Sequence, residues 1–413
     1  MSRTDTLIVW LGEEPVAELR RHRSRLQLQY RPEVVERFGG LPLLSCSLAV
    51  RHRPADATNF FDGLLPEGQF RAALAARARL AATDIFGLLA RYGRDIAGAV
   101  AVGDPADDLA NRSPRILRLT ASDLDDEVAR LPNEPLGLHD DSELSIAGFQ
   151  NKMLLVSVGP GEWARPIAGT PSTHILKVDS QAHPGVVAAE ADAMRLARTI
   201  GLTTVDVELT TFSGVPCLIV ERFDRLVESG TVHRLHQEDA CQALGLPPTQ
   251  KYELPGRGQH RAGGGPELEQ IARLLDTYAR DQVDELTRLV RVATFTAAIG
   301  NADAHGKNLA FLHTARGVVV LAPLYDTVPT VLFPRLKDEA AMTIGGATDL
   351  ATVSVSDIVR EAGRWHLDAV KARTAAIETA ESLRDASISG VIDALGPVAR
   401  LVQARVERLL GDH

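Results

Sequence analysis

The residues most able to do chemistry together lie in one octapeptide, Asn301-Ala302-Asp303-Ala304-His305-Gly306-Lys307-Asn308. Five of its eight side chains are polar, and Gly300 and Gly306 allow the backbone to turn tightly on either side. Asp303 followed by Asn308 has the spacing of a phosphoryl-transfer loop. There the aspartate accepts the proton of the attacking hydroxyl and the asparagine helps hold a metal on the phosphates. Such transfer needs little covalent help and much electrostatic positioning, so an Asp, an Asn and a Lys on one loop suit it. The plainer alternative is a polar turn whose Asp and Asn cap element ends. Downstream, Val318–Leu321 leads through Ala322-Pro323-Leu324 to Tyr325-Asp326. A hairpin with Asn308 at its entry and Asp326 past its exit would join an amide and a carboxylate into a hard-oxygen site suited to Mg²⁺.

Upstream residues supply what such a loop would act on. Lys177 ends the apolar run His174-Ile175-Leu176, where a charge needs a partner, and Glu190 follows on a helix. A strand lysine paired with a helix glutamate is one way to set nucleotide phosphates. Ser145-Ile146-Ala147-Gly148-Phe149-Gln150-Asn151-Lys152 could wrap phosphates with backbone N–H groups. With a single glycine it is neither a Walker loop nor a three-glycine loop, and Lys152 also reads as a solvated strand-end lysine. Glu221-Arg222-Phe223 could offer backbone groups and one aromatic face to an adenine, or be a surface charge cluster around a core phenylalanine.

These residues need a scaffold. The chain has 413 residues, 45% hydrophobic and 24% charged, with a formal net charge of −9. That length implies more than one core, and the acidity argues against a protein that merely coats nucleic acid. Cys46, Cys217 and Cys241 form no CxxC pair, which fits a reducing cytoplasm. No apolar run is long enough for a membrane span, and Glu13-Glu14 come too early for a secretory signal. Residues 4–55, with the apolar runs Leu7–Trp10 and Leu41–Val50, read as β-rich and 59–102 as helical. The acidic stretch 103–142 reads as loop containing a boundary. Strands are expected at Lys152–Val158, His174–Val178, Val205–Thr211 and Cys217–Arg222, with a helix at Val186–Ile200. Helices follow at Glu267–Ala279, Asp284–Ile299, Ile358–Leu383 and Ile388–Leu410. Five glycines in 256–266 mark a loop. The expected class is α+β: a protein-kinase-like two-lobed fold with a small β-rich N-lobe, a large all-helical C-lobe and an N-terminal β/α accessory subdomain. The expected divisions are 1–110, 111–235 and 236–413.

In this order the motifs resemble the HipA toxins, the serine/threonine kinase partners of bacterial type II toxin–antitoxin systems. The resemblance takes in Phe61-Asp62-Gly63-Leu64-Leu65-Pro66-Glu67, the Ala-Gly-x-Gln-x-Lys loop, Thr173–Lys177 and Glu221–Arg225. It continues through Gln237-Glu238-Asp239, Cys241-Gln242-Ala243, Lys251-Tyr252-Glu253, Asp303–Asn308 and Tyr325-Asp326. It implies ATP and Mg²⁺ as cofactors, Asp303 as catalytic base, and Asn308 and Asp326 as metal ligands. Ala147, Gly148, Phe149, Gln150, Asn151, Lys152, Lys177, Glu221, Arg222, Phe223, His305, Gly306, Lys307 and Tyr325 would line the nucleotide site, with Glu190 in a structural ion pair. Ser145 matches the family's self-phosphorylated serine. A phosphate there adds about −2 charge and would expel the loop, a self-inactivation. Implied partners are a helix-turn-helix antitoxin, operator DNA through it, and an aminoacyl-tRNA synthetase as protein substrate, with no membrane. Phe149 and Asn151 depart from the small and acidic residues of better-known members.

Two other classes compete. A non-catalytic co-repressor would have no reason to keep Lys177, Asp303, Asn308 and Asp326 together. A metal-dependent hydrolase on Asp303, His305 and Asp326 would leave Lys177, Glu190 and the 221–223 segment without work.

Overall fold

The computed structural model describes residues 5–107, 114–131, 151–253, 264–314, 317–334, 336 and 338–411. It mixes helix and sheet, as expected, and divides into two compact units. The first comprises Met1–Asp179, Thr210–Glu238 and His313–Gly317; the second Ser180–Leu209, Asp239–Leu312 and Val318–His413.

The first unit begins with a five-stranded sheet ordered Ala55–Asp56, Arg25–Tyr30, Glu14–His22, Thr6–Leu11 and Val100–Gly103. Strand alternation sorts its apolar residues by face. Leu7 and Val9 join the main core with Leu19 and Leu28, while Ile8 and Trp10 pack with Ala101 on the other side. Helices Thr58–Gly63, Gly68–Ala78 and Ile85–Tyr92 cover that core with Phe60, Phe61, Phe70, Leu74, Leu88 and Leu89. Each such side chain contributes about 1.5–3 kcal/mol on burial.

Two expectations fail here. The helical stretch 59–102 ends in a strand, because Val100–Gly103 pairs with Thr6–Leu11 after Gly98 turns the chain at φ +74°. Leu41–Val50, apolar enough for a strand, is a loop, and the helix Pro32–Phe38 precedes it.

A second sheet runs Val215–Glu221, His174–Val178, Lys152–Gly159, Glu162–Ile167, Arg115–Leu119. The supposed loop 103–142 therefore carries a strand, and also the helix Ala121–Arg130, started by a reciprocal Thr120–Asp123 capping box. In this sheet Lys152 lies directly across from Lys177.

In the second unit the helix Gln282–Ile299 is central. It packs against Leu268–Tyr278, Val355–Arg364, Ala369–Ile388 and Pro397–Gly411. Asp281 caps its start by accepting the Asp284 N–H. Gly300, left-handed at φ +66°, ends it, while the Asn301 N–H reaches back to the Thr296 carbonyl. A single helix over Ile358–Leu383 is not found. His366 at φ +61° breaks it, and the Asp368 side chain starts the next helix by accepting the Val370 and Lys371 N–H groups. The final helix begins at Pro397 rather than Ile388, after Gly390 at φ +89°. The unit is not purely helical: Ala310–His313 is followed by the short strand Val319–Leu321, and Glu339–Ile344 pairs with Ala347–Asp349 around Gly345-Gly346.

Candidate active site

The loop after Gly300 is held by its backbone. The Ala302 N–H donates to Thr330 Oγ1 at 2.8 Å, and the Ala302 carbonyl accepts from the Ala341 N–H at 2.9 Å. The Gly306 N–H donates to the Lys251 carbonyl, and the Gly306 carbonyl accepts from the Ala240 N–H, both at 3.0 Å. Gly306 must be glycine, because a Cβ would come within 2.3 Å of Pro266. Pinned from several segments, the loop presents its side chains with little freedom, as a preorganised site requires.

Asp303 is half-buried, and Tyr252 donates its hydroxyl to Asp303 Oδ1 at 2.8 Å. The Asp303 carbonyl accepts the His305 N–H at 2.7 Å and the Asn308 side-chain amide at 3.1 Å. Asn308 thus uses its Nδ2 on the loop and keeps its side-chain carbonyl for a ligand. Tyr325 donates its hydroxyl to the Lys307 carbonyl at 2.6 Å, and the Ala322 N–H donates to the Ala310 carbonyl at 2.8 Å. The first of these bonds ties Tyr325 to the Lys307 end of the loop. Asp326 is half-buried and takes φ +53°, a strained conformation for a non-glycine residue and a frequent mark of functional sites.

His305 packs edge-on against Tyr252, ring centroids 5.3 Å apart. Burial, reinforced by the Lys251 charge and opposed by the Asp326 carboxylate, pushes its pKa down to about 3, so the ring is neutral at pH 7. Its Nδ1 is buried with no hydrogen-bond partner. Lys307, expected to line the nucleotide site, turns its charge inward. Its ammonium is buried in a 2.7 Å pair with Asp239, which itself caps the helix Ala240–Ala243.

In the first unit, Lys152 and Lys177 are both buried, in register on neighbouring strands. Cross-strand partners project from one sheet face, and like charges there repel unless an anion offsets them. Glu221 is exposed and Phe223 half-buried, but the Arg222 guanidinium is engaged by Asp224 at 2.8 Å and by the Ser172 hydroxyl at 2.8 Å. The Arg222 backbone is engaged as well: its N–H donates to the Thr173 carbonyl at 2.9 Å and its carbonyl accepts the Arg225 N–H at 3.1 Å. Glu190 is buried on the helix Val186–Thr199 of the second unit. Ser145, Ala147, Gly148, Phe149, Gln150 and most of the 256–266 stretch lie outside the described residues; Asn151 begins the described segment.

Sequence reasoning gave no role to Tyr252, Asp239 or Thr330. The first two sit in the quoted Lys251-Tyr252-Glu253 and Gln237-Glu238-Asp239 motifs, but no spacing links Tyr252 to Asp303 across 51 residues.

Comparison with known proteins gives the family. Residues 144–389 match the model of the HipA-like C-terminal domain, and residues 7–103 that of the HipA N-terminal domain. A candidate kinase of Sinorhizobium fredii, Y4mE, is 38% identical over 333 residues, 78% of this chain and 77% of that protein. The serine/threonine-protein kinase toxin HipA of Shewanella oneidensis is 31% identical over 296 residues, 70% of this chain and 67% of that protein. A solved structure of HipA with HipB and operator DNA from Shewanella oneidensis matches 98% of both chains, with TM-score 0.84 and 27% identity.

Proposed function

Because the chain belongs to the HipA family, we propose that it is an ATP- and Mg²⁺-dependent serine/threonine protein kinase. The observation that carries this reading is the Asp303 carboxylate, oriented by the Tyr252 hydroxyl, with the Asn308 side-chain amide bonded to the Asp303 carbonyl. In the proposed reaction Asp303 orients the substrate serine hydroxyl and accepts its proton as the γ-phosphoryl group is transferred in line. Tyr252 fixes the carboxylate, and neutral His305 adds no charge that would pull the proton away. Lys152 and Lys177, buried in register on neighbouring strands, are the proposed phosphate contacts. Glu221 and Phe223 are the proposed adenine contacts, with Arg222, engaged by side chain and backbone, holding that segment.

The side-chain oxygens of Asn308 and Asp326 form a hard donor set that suits Mg²⁺, which usually keeps waters and phosphate oxygens as its other ligands. Bound there, Mg²⁺ would neutralise phosphate charge. Lys307, paired to Asp239, serves to position the loop.

Three finer parts belong to the same proposal. Ser145 is the self-phosphorylation site, whose modification expels the Ala147–Lys152 loop. The partner is a HipB-like helix-turn-helix antitoxin, and through it operator DNA. The protein substrate is an aminoacyl-tRNA synthetase in the cytoplasm. Among the described residues no helix is long and apolar enough to cross a membrane.

The test is nucleotide-dependent thermal stabilisation. Saturating Mg·ATP should stabilise the protein by about 2.7 kcal/mol at a hundredfold excess over Kd, and Asp326→Asn should reduce this. No shift with Mg·ATP would exclude the kinase and favour the non-catalytic co-repressor that binds antitoxin and DNA.

A further inference from the structure

Within the first unit, three side chains far apart in sequence meet, and none of them has a role in the proposed phosphoryl transfer. Cys46 sits in the Leu41–Val50 loop, Glu238 on the strand Gln237–Asp239, and His313 at the end of Ala310–His313. A sulfur, a carboxylate oxygen and an imidazole nitrogen from the three lie within 4.8 Å of one another. The Glu238 side chain is fully buried and that of His313 only 5% exposed, whereas Cys46 is partly open to solvent.

Hydrogen bonding fixes how these donors face. His313 Nδ1 lies 2.8 Å from the Pro42 carbonyl, which can only accept, so Nδ1 carries a proton. His313 Nε2 lies 2.8 Å from Glu238 Oε1, also an acceptor when ionised. A cation must therefore sit between Nε2 and the carboxylate, either a second ring proton or a metal ion. The proton leaves part of the site unsatisfied. Glu238 Oε1 also receives the Cys46 N–H at 2.9 Å, but Glu238 Oε2 is buried with no hydrogen-bond partner. A buried acceptor without a donor is costly, and a metal ion would satisfy it.

The surroundings fit that alternative. A histidine that binds metal through one nitrogen usually donates its other N–H to a carbonyl or carboxylate, and Pro42 supplies that carbonyl. The neighbouring His236 does not compete: its Nε2 is 2.8 Å from the Leu44 carbonyl, which holds the ring. Burial, then the Glu238 charge and hydrogen bond, raises the Cys46 thiol far above its ordinary pKa. Without a metal it is an inert thiol, whereas coordination would deprotonate it.

We propose that Cys46 Sγ, Glu238 and His313 Nε2 form a transition-metal site selective for Zn²⁺. Sulfur, imidazole and carboxylate are zinc's ligands, with bonds of about 2.0–2.3 Å. Partly exposed Cys46 leaves the fourth tetrahedral position to water. The balance closes without a co-reactant. The metal-free site holds a thiol and one proton bridging His313 Nε2 and the Glu238 carboxylate, for zero net charge. The loaded site holds a thiolate, a neutral imidazole, a carboxylate and a divalent ion, also for zero. Loading thus releases about two protons, the thiol proton and the bridging proton. The ion would clamp the Leu41–Val50 loop to the strands carrying Glu238 and His313.

The experiment uses the full chain, purified without chelator or polyhistidine tag, with zinc measured after equilibrium dialysis. Stoichiometric zinc and about two protons released per ion in weak buffer are expected. Cobalt substitution should give a thiolate-to-cobalt charge-transfer band and the intense visible bands of a four-coordinate site. A cation on the oxygen ligands Asn308 and Asp326 would give neither. Cys46→Ala should lose the charge-transfer band and bind zinc about tenfold or more weakly, while its chelator-treated form melts with chelator-treated wild type. Should Cys46→Ala fold poorly, Cys46→Ser, which keeps the shape, must still lose the charge-transfer band. Sub-stoichiometric zinc, an octahedral cobalt spectrum, no proton release, or unchanged zinc affinity in the cysteine variants would each overturn the site.

Discussion

Each unit buries a cluster of charge, and the two clusters are built to different ends. In the first unit Asp95 and Asp224 face Arg222, Arg225 and Arg234, and every carboxylate oxygen is taken. Asp95 accepts from Arg225 and from the Ser172 hydroxyl and N–H; Asp224 accepts from Arg222 and the Gly98 N–H. Burial alone would raise both carboxyl pKa values, but the surrounding guanidiniums hold them below the ordinary range. Burial and the Arg225 charge pull Arg234 down to about 10. In the second unit the charge is held by backbone bonds, while Asp303, Asn308 and Asp326 stay half-buried and His305 Nδ1 has no partner. A cluster whose carboxylates are all engaged by guanidiniums and backbone stabilises; a loop pinned by backbone bonds, with His305 Nδ1 unpartnered, can act on a ligand.

The largest effect should come from breaking the first cluster. Asp224→Ala leaves buried guanidiniums uncompensated and should cost about 3–5 kcal/mol in urea unfolding. A loss below about 1 kcal/mol would show that this network does not hold its strands together. In the second cluster, Asp303→Asn should cut phosphoryl transfer by about 10²–10⁴-fold, leaving Mg·ATP affinity and Tm nearly unchanged. Equal losses in transfer and in stability would erase the contrast.

A pH titration sharpens the comparison. Below the ordinary imidazole pKa of 6.5, the unfolded chain binds a proton at His305 that the folded chain, with its pKa of about 3, refuses. The contribution from neutral His305 is therefore complete above pH 6.5 and falls as pH drops toward 3, by about 1.4 kcal/mol per unit. His236, lowered to about 3 by burial and the His313 charge, adds a second such term. Denaturant unfolding from pH 4 to 7 should show a shallower slope in His305→Asn; identical slopes would contradict the burial argument. The smallest effect belongs to Tyr252→Phe, which removes one hydrogen bond to Asp303. It should slow transfer by about tenfold or less, with Mg·ATP affinity unchanged.

Periodicity made much of this legible. The strand His174–Val178 and the helix Val186–Thr199 follow from alternation and from a repeating apolar face. Apolar patterning alone merged Val355–Arg364 with Ala369–Ile388, because the break rests on one left-handed residue, His366, and one capping side chain, Asp368. The helix Ala121–Arg130 was hidden by acidity, though Thr120 and Asp123 three apart announce its cap. At the candidate site, the turn after Gly300 was readable from local spacing and turn chemistry. Tyr252 and the Lys307–Asp239 pair were not, because contacts across 51 and 68 residues leave no local pattern. For the same reason the sequence lists Lys307 among residues lining a nucleotide site, while the fold shows its ammonium paired with Asp239.

The most direct test of the kinase reading is the intact mass of phosphatase-treated protein before and after incubation with Mg·ATP, alongside Asp303→Asn. The account predicts one added phosphate, located at Ser145 and absent from the variant. An equal gain in the variant, or no gain together with no ATP binding, would contradict it.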